Sequence, residues 1–91
     1  MEQLKESITN QLGDIINIMD ENELFYDETI LYDIIVEGAG GILFHHELDF
    51  SDFPDGLEIA CDNIQGEVSD RFDNMEQIYE FAEKLLDEFY S

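Results

Sequence analysis

Leu4, Ile8, Leu12, Ile15 and Met19 recur at spacings of four, four, three and four, the period that puts side chains on one face of an α-helix. A first helix is therefore expected at the N-terminus. Gly13 weakens it by about 1 kcal/mol relative to alanine, and the acidic stretch Asp20 to Glu23, with Asn22 inside it, suits its end. From Asp27 to Glu37 two readings compete. Leu31, Ile34 and Ile35 fit a helix face, whereas Ile30, Tyr32, Ile34 and Val36 would line one side of a strand. The helix is preferred, because Asp27 can act as its N-cap and Gly38 can end it in a left-handed conformation.

Gly38, Gly40 and Gly41 read as a turn, and with no Lys and Ser or Thr after them they do not form a phosphate-cradling loop. Beyond them Ile42, Phe44, Leu48 and Phe50 alternate with Leu43, His45, Glu47 and Asp49, a pattern that favours an extended segment over a short helix. Phe53, Pro54, Asp55 and Gly56 have the order of a type I turn. Asp55 and Glu58 are then spaced as a capping pair, and Leu57, Cys61, Ile64 and Val68 repeat with helical period. Asp73 and Glu76 repeat the capping spacing before a last helix, whose stripe comprises Ile78, Phe81, Ala82, Leu85 and Phe89. Tyr79, Leu86 and Tyr90 widen that stripe on one flank, either closing the core or facing a partner.

The expected fold is thus mostly α. Residues 1–91 form one domain, a bundle of about four helices with an irregular or extended segment near 42–53. The alternative is α+β, with a hairpin at 30–50 pairing Ile30 to Val36 with Ile42 to Phe50 across the glycines.

Composition turns this ordinary pattern into an unusual surface. Hydrophobic residues make up 44% of the chain, enough for a folded core. Yet 24 Asp and Glu face only three Lys and Arg, for a net charge of −21. Solubility needs a net charge of only about 2 to 8, and the excess destabilises the compact state by self-repulsion. Such a surface is repelled by nucleic acid and by anionic lipid, so neither is expected to bind directly; the natural partner is a protein with a basic face. The N-terminus has no signal-peptide pattern, no apolar run is long enough to span a bilayer, and the lone Cys61 suits a reducing, cytoplasmic compartment.

The acidic residues have an order of their own. Glu76, Glu80, Glu83 and Asp87 follow one another at four, three and four, with Glu88 beside them and Lys84 the only cation on the last helix. At about 1.5 Å rise per residue the row spans roughly 16 Å, with neighbours about 5 to 6 Å apart. That scale is comparable with the phosphates of one DNA strand, spaced at roughly 3.4 Å of axis. Further carboxylates crowd the middle of the chain, among them Asp49, Asp52, Asp55, Glu58 and Asp62, where only Arg71 answers them.

In size, charge and this carboxylate row the chain resembles the small acidic DNA-mimic inhibitors, the anti-restriction and anti-CRISPR proteins of phages and mobile elements. The resemblance is one of class, since those proteins share no common motif. It implies an inhibitor that occupies the basic groove of a DNA- or RNA-binding defence protein. The interface would comprise Glu76, Glu80, Glu83, Asp87 and Glu88, with Asp49, Asp52, Asp55, Glu58 and Asp62, and with Tyr79 and Tyr90 alongside. Two other readings compete: an acidic adaptor or immunity protein that grips a basic partner through Tyr79, Leu86, Tyr90 and a charged rim, and a structural domain adapted to high salt. A monomer and a dimer are equally compatible with the pattern.

No catalytic arrangement emerges. Ser7, Ser51, Ser69, Ser91 and Cys61 lie in no nucleophile motif, so the chain reads as no enzyme and as needing no cofactor. His45 and His46 with Glu47 and Asp49 are a metal candidate, but neighbouring histidines on a strand point to opposite faces, and no metal site is expected. An EF-hand loop fails on either Gly56 or Gly66, which would put Ser51 and Phe53, or Cys61, at ligand positions.

Overall fold

Every turn of α1 (Glu2–Glu21) sends inward the residue its period marked, and Leu4, Ile8, Leu12, Ile15 and Met19 are all buried. The computed structural model describes residues 2–46 and 49–91, with all of their side chains except those of Phe44 and Phe50. Four further helices follow: α2 (Glu28–Glu37), α3 (Gly40–His46), α4 (Leu57–Arg71) and α5 (Met75–Phe89), with a 3-10 turn at Phe50–Asp52. No strand occurs among the described residues, so the hairpin alternative is not the one adopted.

Helix α2 is the centre of the bundle, packing on α3, α4 and α5, while α1 packs on α4 and α5. All five helices contribute to one core, in which Ile34, Ile35, Ile42, Cys61 and Ile64 are fully buried. A radius of gyration of 12.3 Å matches the roughly 12 Å expected of a compact chain of this length. No polar or charged residue is buried among those described, so the negative charge lies at the surface.

The helix ends show which local signals mattered. α1 closes with Leu24 N–H donating to Met19 O at 2.8 Å and Glu23 N–H to Asp20 O at 3.2 Å. This paired capping leaves Glu23 in the left-handed region at φ 58°, a position that glycine usually fills. α2 starts as its sequence indicates, with Asp27 Oδ1 accepting from Ile30 N–H at 2.9 Å. It ends at Gly38, whose φ is positive (69°) although its ψ of −142° is not that of a left-handed helix.

Five expectations require correction. The segment from Ile42 to His46 is helical, not extended. Over seven residues a two-residue and a 3.6-residue period are hard to separate, and tertiary packing decides between them. Gly41 allows α3 to lie against α2 so closely that a Cβ there would fall 2.7 Å from the backbone carbon of Asp33. Gly40 and Gly41 therefore belong to a helix and not to a turn. Leu48, and the side chains of Phe44 and Phe50, which completed the alternation, lie outside the described set.

The Pro54 turn also differs from type I. Leu57 N–H donates to Pro54 O at 3.1 Å, and Gly56, at φ 87° and ψ −14°, occupies the third place, as a type II turn requires. Gly56 is then the N-cap of α4, and no side chain caps it, so Asp55 and Glu58 do not form the expected pair. At α5 the cap is displaced by one residue. Asn74 Oδ1 accepts from Gln77 N–H at 3.0 Å, and Gln77 Oε1 accepts from Asp73 N–H at 3.2 Å, so the pair is Asn74 and Gln77 instead of Asp73 and Glu76.

Candidate functional site

Helix α5 is held by Ile78, Phe81, Ala82, Leu85 and Leu86, all buried. The opposite side of the same helix carries Glu76, Glu80, Glu83 and Asp87, all exposed. At about 100° per residue these four positions fall within an arc of about 60°, so they form one outward ridge. The sequence pattern and the packing agree here because the ridge is what remains when the apolar stripe is buried.

The two flanks of the ridge differ in charge. On the α1 side, Lys5 Nζ lies 2.7 Å from Glu88 Oε2. The hydrogen bond to Glu88, its largest influence, holds the Lys5 ammonium above its ordinary pKa. Lys5 and Lys84 also line a groove there with Phe72, Gln77, Glu80 and Phe81. Glu88 is therefore already partnered and adds little free charge to the ridge. On the α2 side, a groove of about 340 Å³ is lined by Glu28, Thr29, Tyr32, Glu83, Leu86 and Asp87, with no cation among them.

Tyrosines gather on that same side. The rings of Tyr32 and Tyr79 run nearly parallel, 22° apart, with centroids separated by 6.4 Å. Burial first, then the Glu83 carboxylate, raises the pKa of the Tyr32 hydroxyl. Tyr90 is raised by burial and by Tyr26, Glu28 and Asp27, which puts the end of α5 beside the start of α2. Tyr79 and Tyr90 are 42% and 49% exposed, whereas Leu86, which the sequence left between closing the core and facing a partner, is 1% exposed and belongs to the core. The flank therefore has two aromatic positions open to a partner instead of three anchors.

The second acidic group is more dispersed and partly occupied. Asp49, Asp52, Asp55 and Asp62 are exposed and Glu58 is half-buried. Asp52 Oδ2 accepts from Asp49 N–H at 3.3 Å, across the start of the 3-10 turn. Asp62 Oδ1 accepts from Ala39 N–H at 3.0 Å, fastening the α2–α3 connection to α4. Asp55 and Glu58 line a separate groove with Phe53, Pro54 and Ile59. The structure brings Glu83 and Asp87 together with Glu28 and Tyr32, and it gives Asp62 an internal task.

The histidines have structural partners. His45 Nε2 lies 2.6 Å from Asp33 Oδ2, and His46 Nε2 lies 2.6 Å from Phe25 O. Both are on α3, so the opposite faces expected of a strand do not arise. No group of three His, Cys, Asp or Glu suited to a metal ion occurs among the described residues. Cys61 is buried in the core, and desolvation pushes its thiol pKa up to about 12. A thiol so far from ionisation is a packing group and a poor nucleophile. No described helix is long and apolar enough to cross a membrane.

Glu28 and Tyr32 were absent from the expected interface. Their place beside α5 comes from a tertiary pairing of helices distant in sequence, for which one chain carries no local signal. Comparison with protein-family models, curated proteins and solved structures finds no match.

Proposed function

We propose that this protein is an inhibitor that offers phosphate-like charge to a basic nucleic-acid-binding protein and blocks the groove where DNA or RNA would lie. The observation that carries this reading is the α5 ridge: four exposed carboxylates, Glu76, Glu80, Glu83 and Asp87, in a line along one helix. Like charges at such spacing destabilise a helix by about 0.2 to 0.5 kcal/mol per pair, and Lys84 is the only cation on α5. A partner that supplies Lys and Arg removes this repulsion and gains the contacts it would make with phosphates. By the resemblance to acidic DNA mimics, the partner is a defence protein such as a restriction or CRISPR effector.

A second reading is favoured by Tyr79 and Tyr90, which are large and exposed beside the ridge. In it the protein is an acidic adaptor or immunity protein anchored by aromatic contact, with charge only at the rim. Salt separates the two, because a phosphate mimic weakens steeply as ionic strength rises and an apolar anchor does not.

The test is capture of basic proteins from a lysate of the source cells, repeated with excess duplex DNA. Retained nucleic-acid-binding proteins that the DNA displaces support mimicry. Retention that DNA leaves intact supports the adaptor, and no retention at physiological ionic strength removes both.

A further inference from the structure

We infer that the groove between α2 and α5 receives an arginine side chain of the basic partner, seated against the Tyr32–Tyr79 ring pair and held by Glu28, Glu83 and Asp87. The inference rests on the reading that this protein docks a basic partner, and it names the side chain and the place.

Three observations converge on the groove. Its carboxylates come from two helices, Glu28 from the start of α2 and Glu83 and Asp87 from α5, with the buried Leu86 among the lining residues. Its charge is uncompensated. Of the three Lys and Arg, Lys5 is tied to Glu88, Lys84 lines the groove on the opposite flank, and Arg71 closes α4. The third observation is aromatic: Tyr32 lines the groove, and its ring runs nearly parallel to that of Tyr79, which is 42% exposed one helical turn before Glu83.

Carboxylates alone would accept lysine and arginine alike. The aromatic pair selects between them, because a planar guanidinium stacks on a ring face while its N–H groups fork to carboxylates, and an ammonium keeps its hydration shell. With a volume of about 340 Å³, the groove is at the small end of the roughly 300 to 1,000 Å³ typical of ligand sites, with room for a guanidinium and its stem.

The test uses octa-arginine and octa-lysine peptides titrated into the whole protein at physiological ionic strength. Binding is followed by calorimetry and by fluorescence, which reports tyrosine directly because the chain has no Trp. Arginine peptide should bind roughly three- to thirtyfold more tightly, the span of a cation over an aromatic ring, and should perturb the tyrosine emission. Tyr79→Leu should abolish that preference, and Tyr79→Phe, which keeps the ring, should retain it. Equal binding of the two peptides, or a preference that survives Tyr79→Leu, overturns the inference. If Glu76→Gln with Glu80→Gln then weakens both peptides equally, docking through the ridge stands without the arginine seat. A Tyr79-dependent preference, with affinities for both peptides that these two substitutions leave unchanged, keeps the seat and removes the ridge. Failure of both peptides to bind overturns the seat and the ridge together.

Discussion

Asp62 Oδ1 accepts a hydrogen bond from the backbone N–H of Ala39 at 3.0 Å, across the contact between α4 and the α2–α3 connection. Ala39 is 1% exposed with the carboxylate in place, so its N–H takes its hydrogen bond from Asp62 and not from water. Gly38 beside it leaves the room, since a Cβ there would lie 2.7 Å from the same oxygen. A residue that looks like one more surface acid is thus a fastening of the fold. Asp62→Ala should lower stability by about 1 to 3 kcal/mol, the cost of an orphaned buried donor. Asp62→Asn, which keeps an accepting oxygen, should recover most of the loss. Chemical denaturation measures both, and equal stability of wild type and Asp62→Ala would show that the bond contributes nothing.

Glu23 gives a prediction of the opposite sign. Its φ of 58° follows from the capping geometry at the end of α1, and a side chain in that region costs about 1 to 2 kcal/mol relative to glycine. Glu23→Gly should therefore raise the stability by about 1 kcal/mol. Glu23→Ala removes the same charge and keeps the strained conformation, so the difference between the two variants isolates the backbone effect. A melting temperature no higher for Glu23→Gly than for Glu23→Ala would contradict it.

Cys61 makes the fold sensitive to alkali. Burial raises its thiol from an ordinary value near 9.0 to about 12 in the folded protein. Between those values the unfolded chain has lost the proton that the native state still holds, so stability falls as pH rises above about 9. The slope approaches about 1.4 kcal/mol per pH unit for one fully ionised site. Cys61→Ala, less stable near pH 7 for want of the sulfur's packing, should lose less on going from pH 8 to pH 11, and its curve should converge on that of the wild type. Parallel curves across that range would place the thiol within reach of solvent.

Much of this organisation was legible in the sequence, and the reason is specific. Leu4 to Met19, Leu57 to Val68 and Ile78 to Leu85 lie on long helices, where several turns of repetition distinguish the helical period from any other. The ridge was legible for the same reason, as the complement of the α5 stripe. Ile42 to His46 was not, because so short a segment takes its conformation from contacts such as the close approach of Gly41 to Asp33. Leu86 was assigned an ambiguous flank, and only the packing of α5 on α2 decided that it is core while Tyr79 stays open. The groove with Glu28 and Tyr32 depends on the same pairing.

The ridge is the central claim, and its neutralisation is the most direct test. With the captured partner in hand, affinity is measured for the wild type and for the variant carrying Glu76→Gln, Glu80→Gln, Glu83→Gln and Asp87→Asn, with circular dichroism as the check on folding. These four side chains are exposed, so helicity should be unchanged. Affinity should fall by at least about a hundredfold, because a close charge pair at an interface contributes roughly 1.5 kcal/mol or more, and the remaining binding should lose most of its salt dependence. An affinity equal to that of the wild type, in a variant that is still helical, would show that this face is solvated surface and that the partner docks elsewhere.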